Sequence, residues 1–146
     1  MHIHFGNERW QQAAALALRY EVFVLEQNIS LQEEFDALDT VDRNYFVAYD
    51  ESLAVATIRY QKKDDVTIQP DRFCVRKTYR GKGIGKKILS LLEEKAQEDG
   101  CTFSSLSAEK TAISFYESLN YKVNSEEYLE DGILCVEMVK QLACEL

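Results

Sequence analysis

Three of the six glycines in the chain, Gly81, Gly83 and Gly85, fall within five residues, among Arg80, Lys82, Lys86 and Lys87. Glycine permits left-handed backbone and a close approach of main-chain N–H groups to a ligand, and basic side chains beside such a loop suit an anion. An apolar stripe of Ile84, Ile88, Leu91, Leu92 and Ala96 predicts a helix that starts near Gly83, with Gly100 at its stop. The charges of that helix are reversed. A helix N-terminus favours acidic residues by roughly 0.3–1 kcal/mol each, yet this one opens on Lys82, Lys86 and Lys87 and closes on Glu98 and Asp99. Local stability does not account for that order, whereas a bound anion does. With an extended run at Asp71–Val75 ahead of it, the segment reads as strand, glycine loop and cationic helix start. It predicts a phosphate-bearing ligand held by backbone N–H groups, the helix terminus and lysines.

Spacing narrows the ligand. A Walker loop needs Gly, four residues, then Gly-Lys-Ser/Thr, but Gly85-Lys86 is followed by Lys87, and position 80 is Arg. The dinucleotide pattern G-x-G-x-x-G fails because Lys86 stands where its third glycine belongs. Arg80-Gly81-Lys82-Gly83-Ile84-Gly85 instead resembles the (Gln/Arg)-x-x-Gly-x-(Gly/Ala) pyrophosphate loop of the GNAT superfamily of acetyl-CoA-dependent N-acetyltransferases. The likeness extends to Arg72-Phe73-Cys74-Val75, similar to the acetyl-CoA-contacting strand of that family. It also extends to the stretch from Ala112 to Tyr121, with Asn120-Tyr121 in place of the usual Gly-Phe. Upstream, Arg19-Tyr20-Glu21-Val22-Phe23-Val24-Leu25-Glu26-Gln27, with Asp36 and Asp39 beyond it, is similar to the ElaA-type branch of bacterial GNAT proteins.

The resemblance implies an α/β (α+β) fold: a mixed, mostly antiparallel sheet flanked by helices, splayed near Asp71–Val75 and Thr102–Ser107 to admit a pantetheine arm. It implies acetyl-CoA as co-substrate, with Phe73, Cys74 and Val75 along the arm and Arg80, Gly81, Lys82, Gly83, Ile84, Gly85 and Lys86 on the pyrophosphate. Glu109 and Phe115 are further cofactor contacts, although Glu109 stands where many members have Asn and this branch tends to Gln. Backbone near Val75 would stabilise the thioester oxygen as charge develops there. An ammonium acceptor with a pKa near 10.4 must lose a proton before it attacks, and Glu26 is the candidate base, its alternative being to hold a loop through backbone N–H groups. Tyr116 matches the phenol that protonates the leaving thiolate, its alternative being to pack on the stripe of Ala112 and Leu119. Asp36 and Asp39 read as loop anchors, and Cys135 lies where the branch has His. The expected product is an N-acetylated primary amine on a small molecule or peptide. The rival from another class is an acyl-CoA-binding sensor or interaction module without turnover.

These residues need elements to place them. A strand is expected at His2–Phe5, then a helix capped by Asn7 and running to Val22 with Trp10, Ala13, Ala14, Ala17 and Tyr20 on its apolar face. Residues 24–44 read as a loop with a short helix, Tyr45–Tyr49 and Leu53–Tyr60 as a hairpin, and Asp71–Val75 as a strand that Pro70 interrupts. A strand at Thr102–Ser107, a short helix with Ala112, Phe115, Tyr116 and Leu119, and closing strands at Tyr121–Val123 and Ile133–Val139 complete one domain over residues 1–146.

Composition bounds the function. The chain carries 17 basic and 25 acidic residues, net −8, and 46% apolar residues, which suits one domain with a real core. Six basic residues and no acidic one lie between Arg76 and Lys87, and Glu21–Glu51 carries nine carboxylates against Arg43 alone. A nucleic-acid or anionic-membrane surface is therefore disfavoured, and the acidic stretch predicts attraction of a cationic amine acceptor, its alternative being to keep a soluble face hydrated. The longest apolar run, Ala13–Leu18, is too short for a membrane span, and no secretory leader is expected. Four cysteines without a C-x-x-C pair fit a reduced, cytoplasmic protein, and His2 and His4 lack partners for a metal site. A homodimer is compatible with all of this.

Overall fold

The computed structural model describes residues 1–142; Cys144 lies outside them. The chain divides into two compact units, Met1–Arg59 with Arg72–Leu91, and Tyr60–Asp71 with the chain from Leu92 onward.

In the first unit, β1 (His2–Gly6) pairs antiparallel with β2 (Tyr45–Asp50), from His2↔Tyr49 to Gly6↔Tyr45. Strand β2 turns through Glu51, at φ 55°, into its antiparallel partner β3 (Leu53–Lys62), which is the expected hairpin. Helix α1 (Arg9–Arg19) covers this sheet, and its core joins Ala15, Leu18 and Val22 to Tyr45, Val47, Tyr49, Ala54 and Cys74. The buried face differs from the expected one. Ala13, Ala17 and Tyr20 are exposed and Trp10 is 57% exposed, while Gln11, Gln12 and Arg19 are buried. Hydrogen bonding selects that face. Gln11 Nε2 donates to the carbonyls of His4 and Tyr45, both at 2.9 Å, and its Oε1 accepts from the Tyr49 hydroxyl at 2.6 Å. Gln12 Nε2 donates to the carbonyls of Val41 and Arg43. A satisfied amide is buried without the penalty of an unpaired one, so periodicity in apolar residues misses this face. Nor does Asn7 cap the helix: its Nδ2 donates to the Asp42 carbonyl, and Glu8 stands at the cap position.

The helix does not stop at Val22. It widens into a π-helical segment, Tyr20–Glu26, whose exit is marked by the Gln27 N–H bonding five residues back to the Val22 carbonyl at 3.1 Å. The short helix expected in residues 24–44 is α2 (Leu31–Glu34), capped by Ser30 Oγ accepting from the Glu33 N–H. Strand β4 (Thr67–Val75) runs through Pro70, against the expected interruption. The reason lies in the second unit, where β4 pairs in parallel with β5 (Phe103–Glu109) only at Thr67↔Phe103 and Ile68↔Ser104. Pro70 follows the last of these pairs, so its missing N–H costs no bond on that side.

Strands β3 and β4 and helix α3 (Ile84–Glu98) run through both units. Helix α3 buries Ile84, Ile88, Leu92 and Ala96 as expected, together with Leu89, and is stopped by Gly100 at φ 89°. In the second unit β5 pairs antiparallel with β8 (Ile133–Gln141) along its full length, from Phe103↔Gln141 to Glu109↔Cys135. Strands β6 (Lys122–Val123) and β7 (Tyr128–Glu130) also pair antiparallel with β8; β7 is not foreseen in the sequence. Between β5 and β6 a 3-10 turn, Lys110–Ala112, leads into α4 (Ile113–Ser118). The sheet is mixed and mostly antiparallel, with β4–β5 as its parallel pair. Among the described residues no helix is long and apolar enough to cross a membrane.

Candidate functional site

The glycine loop lies in the first unit. Strand β4 ends at Val75, a 3-10 turn spans Lys77–Tyr79, and Arg80 is extended before the loop enters α3. Gly81 and Gly83 have φ of 76° and 82°, and a Cβ on either would meet nothing within 4 Å. Their glycine identity is set by the left-handed backbone, and the space over them is open. Gly85 differs: a Cβ there would lie 3.2 Å from Phe73 Cζ and 3.5 Å from Val75 Cγ2. The first turn of α3 thus packs directly on the strand residues expected to face the cofactor. The first N–H groups of a helix have no acceptor within it; here they belong to Ile84, Gly85 and Lys86. No acidic residue stands in that turn, and Lys82, Lys86 and Lys87 are exposed. Lys82 Nζ lies 5.3 Å from the centroid of the Tyr79 ring, whose hydroxyl donates to Asp50 at 2.6 Å.

Arg80 ties the loop together. Its Nε donates to the Val75 carbonyl at 2.8 Å, and Nη1 and Nη2 donate to Glu26 Oε2 and Oε1 at 2.6 and 2.9 Å. Glu26 therefore accepts from a guanidinium, and the Arg80 hydrogen bonds hold its carboxyl below the usual carboxylate range. One π turn earlier, Glu21 accepts from Arg76 Nη1, with Oε2 at 2.6 Å. In an α-helix, residues five apart sit about 140° around the axis from each other. Bonding across five residues instead brings them over the same face, so both glutamates reach arginines that follow β4. Cys74 is buried, and burial pushes its thiol well above the ordinary value, which disfavours the thiolate.

The acidic stretch Glu21–Glu51 does not present the free negative surface its composition predicts. Glu34 and Asp39 pair with Arg19 at 2.8 and 2.7 Å, and Asp36 and Asp39 pair with Arg59 at 2.8 and 3.0 Å. Arg72, at φ 49°, adds ion pairs to Glu34 and Asp36. Among the described residues at least five of the nine carboxylates are thus matched by arginines from α1, β3, β4 and the loop after β4. The arginines are distant in sequence, so a local charge count misses them. Asp36 and Asp39 are the loop anchors expected. Burial pushes the Asp39 carboxyl up, but hydrogen bonds from Arg19 and Tyr45 carry it far below the ordinary range.

Tyr116, Phe115 and Glu109 lie in the second unit. The Tyr116 ring meets Phe115 and Tyr121 edge-on, with centroids 5.1 and 5.8 Å away. Burial, with the Glu109 charge adding to it, pushes its phenol well above 10. Six of the eight tyrosines spend their hydroxyls on partners: Tyr45 on Asp39, Tyr49 on Gln11, Tyr60 on Asp99, Tyr79 on Asp50, Tyr121 on Glu93 and Ser104, and Tyr128 on Ser107. Among the described residues the Tyr116 hydroxyl has none, and its ring packs on Phe115 and Tyr121. Cys135 faces Glu109 across the β5–β8 ladder, and burial raises its thiol against the opposing hydrogen bond of Ser107. No group of metal-ligating side chains occurs among the described residues.

Residues 41–123 match the acetyltransferase (GNAT) domain family. A crystal structure described as an N-acetyltransferase of Lactobacillus plantarum superposes with a TM-score of 0.94 at 40% identity, over 97% of this chain and 98% of that one. Escherichia coli ElaA superposes with a TM-score of 0.84 at 26% identity, over 96% and 99%. An aminoglycoside 6′-N-acetyltransferase complexed with coenzyme A shares the fold at 14% identity, with a TM-score of 0.80 over 100% and 99%.

Proposed function

The chain belongs to the GNAT acetyltransferases, and from that membership we propose that it moves the acetyl group of acetyl-CoA directly to a primary amine of a small molecule or peptide. The observation that carries this reading is the loop from Arg80 to Lys86. Two open, left-handed glycines, a helix start with no acidic residue in its first turn, and lysines without carboxylate partners among the described residues make a seat for a phosphate group. That a protein of the same fold is complexed with coenzyme A supports coenzyme A as the phosphate-bearing ligand.

In this reading Gly81, Lys82, Gly83, Ile84, Gly85 and Lys86 hold the pyrophosphate, chiefly through N–H groups, and Arg80 adds its guanidinium. Phe73, Cys74 and Val75 contribute main-chain groups and an apolar wall, and Glu109 and Phe115 are further contacts. Acetyl-CoA supplies a thioester, an acetyl group already activated towards an amine. Tyr116 keeps its proton at Oη throughout the working pH range and delivers it as the transfer completes. Glu26 is a weak proton acceptor while Arg80 holds it, because a carboxyl below the ordinary range yields its charge reluctantly.

The test is to mix the protein with acetyl-CoA and a panel of primary amines and follow free CoA thiol. Amine-dependent thiol release is the expected result. Binding of acetyl-CoA without such release would replace catalysis by a sensor function, and failure of both would overturn the assignment.

A further inference from the structure

Among the described residues of the stretch Arg80–Lys87, Arg80 alone is engaged in an ion pair. The geometry is two-pronged, with Glu26 Oε2 2.6 Å from Nη1 and Oε1 2.9 Å from Nη2. A guanidinium fork presents this same pattern to a carboxylate and to a phosphate. The Nε donor is fixed on the Val75 carbonyl at 2.8 Å, so the fork stays oriented whichever anion takes it. Both partners are well exposed, 40% for Arg80 and 33% for Glu26. A pair of that exposure adds little to stability, so stability does not explain why a π turn is used to deliver a carboxylate to this one arginine.

Resting on the cofactor reading above, we propose that Glu26 is an internal stand-in for the cofactor pyrophosphate, competing with it for Nη1 and Nη2 of Arg80. Cofactor binding and release of the Glu26 carboxylate are then a single event. The released carboxylate has Lys77 as its other cationic neighbour and is free to take the ammonium or the proton of an acceptor amine. Through this exchange the cofactor site and Glu26 are coupled, each biasing the other by the same free energy. No bond is made or broken in the exchange; one ion pair replaces another.

Calorimetric titration of the full-length protein with coenzyme A, and with pantetheine, which lacks the pyrophosphate, tests the competition. Glu26→Gln should bind coenzyme A about two- to five-fold more tightly, the range set by an exposed ion pair, and pantetheine unchanged. In an Arg80→Ala background the Glu26→Gln gain should vanish. A melting curve matching that of the parent shows that Glu26→Gln is folded. Unchanged or weaker coenzyme A binding by folded Glu26→Gln overturns the exchange while leaving the cofactor reading intact. A gain equal for pantetheine, or one that persists without Arg80, overturns it too. If the unaltered protein fails to bind millimolar coenzyme A, the cofactor reading falls and the exchange falls with it.

Discussion

Tyr116 is a half-buried phenol whose hydroxyl has no partner among the described residues, while six other tyrosines donate theirs. Burial disfavours the phenolate, so the proton stays on Oη well past the ordinary pKa of about 10. Tyr116→Phe deletes that proton and keeps the ring against Phe115 and Tyr121. We expect kcat to fall about 10²–10⁴-fold, the range of a general acid, with the dissociation constant for coenzyme A unchanged. Steady-state kinetics and direct titration check the two halves separately. The sign of the shift adds a second expectation: because the donor is the neutral form and its pKa is raised, kcat should show no decline from Tyr116 ionisation as pH climbs to about 10. Sequence alone places Tyr116 on a short helix. It does not show which tyrosines are partnered, since Glu93, Asp50, Asp39 and Gln11 come from elsewhere in the chain.

The elements that carry Asp36 and Asp39 are held by buried arginines. Arg19 and Arg59 have side chains 1% exposed, and Asp39, at 7%, accepts from both. Removing one charge from such a cluster strands the others. Asp39→Asn is expected to cost about 3–5 kcal/mol of stability, measured by urea unfolding with CD. The pH sign follows from Asp39 and Asp36, whose carboxyls are depressed, Asp36 by the Arg59 hydrogen bond first of all. Their contribution is fully present above the unfolded carboxylate value of about 4 and is lost as pH falls through their folded values. Glu34, whose carboxyl burial raises, runs the other way and returns part of it. Urea midpoints should therefore decline below about pH 4, and more shallowly in Asp39→Asn. The hairpin, α3 and the β5–β8 ladder are legible from periodicity because their buried faces are apolar. The face of α1 is not legible, because Gln11, Gln12 and Arg19 are buried through hydrogen bonds that only distant strands and loops provide. The π-helical widening is equally invisible, since no residue type marks it.

At the scale of the whole molecule, the charge count misleads in one place and informs in another. The excess of acid over base is real, yet at least five carboxylates of its densest stretch are paired with arginines, while Lys82, Lys86 and Lys87 have no ion-pair partner among the described residues. Function is legible from the uncompensated part, the glycine loop, because its chemistry is local in sequence. If coenzyme A binds there as proposed, it is expected to stabilise the native state by mass action. At 100 times its dissociation constant the gain is about 2.7 kcal/mol, or roughly 5–10 °C in Tm for a chain of this size. Differential scanning fluorimetry reads it directly, and no shift at millimolar coenzyme A would exclude the site.

The π turn at Tyr20–Glu26 makes chain length itself a functional variable. Each residue of a helix turns everything after it by about 100°, so ordinary winding over the same five residues would swing Glu26 about 140° off Arg80, whereas ordinary winding after removal of one residue between Glu21 and Glu26 would leave the two glutamates about 40° apart, on one face. Glu21 would stay on Arg76. The segment can thus lose one residue together with its π turn and keep both arginine contacts, but it has no slack for an insertion, and Val22 within it is fixed by the core.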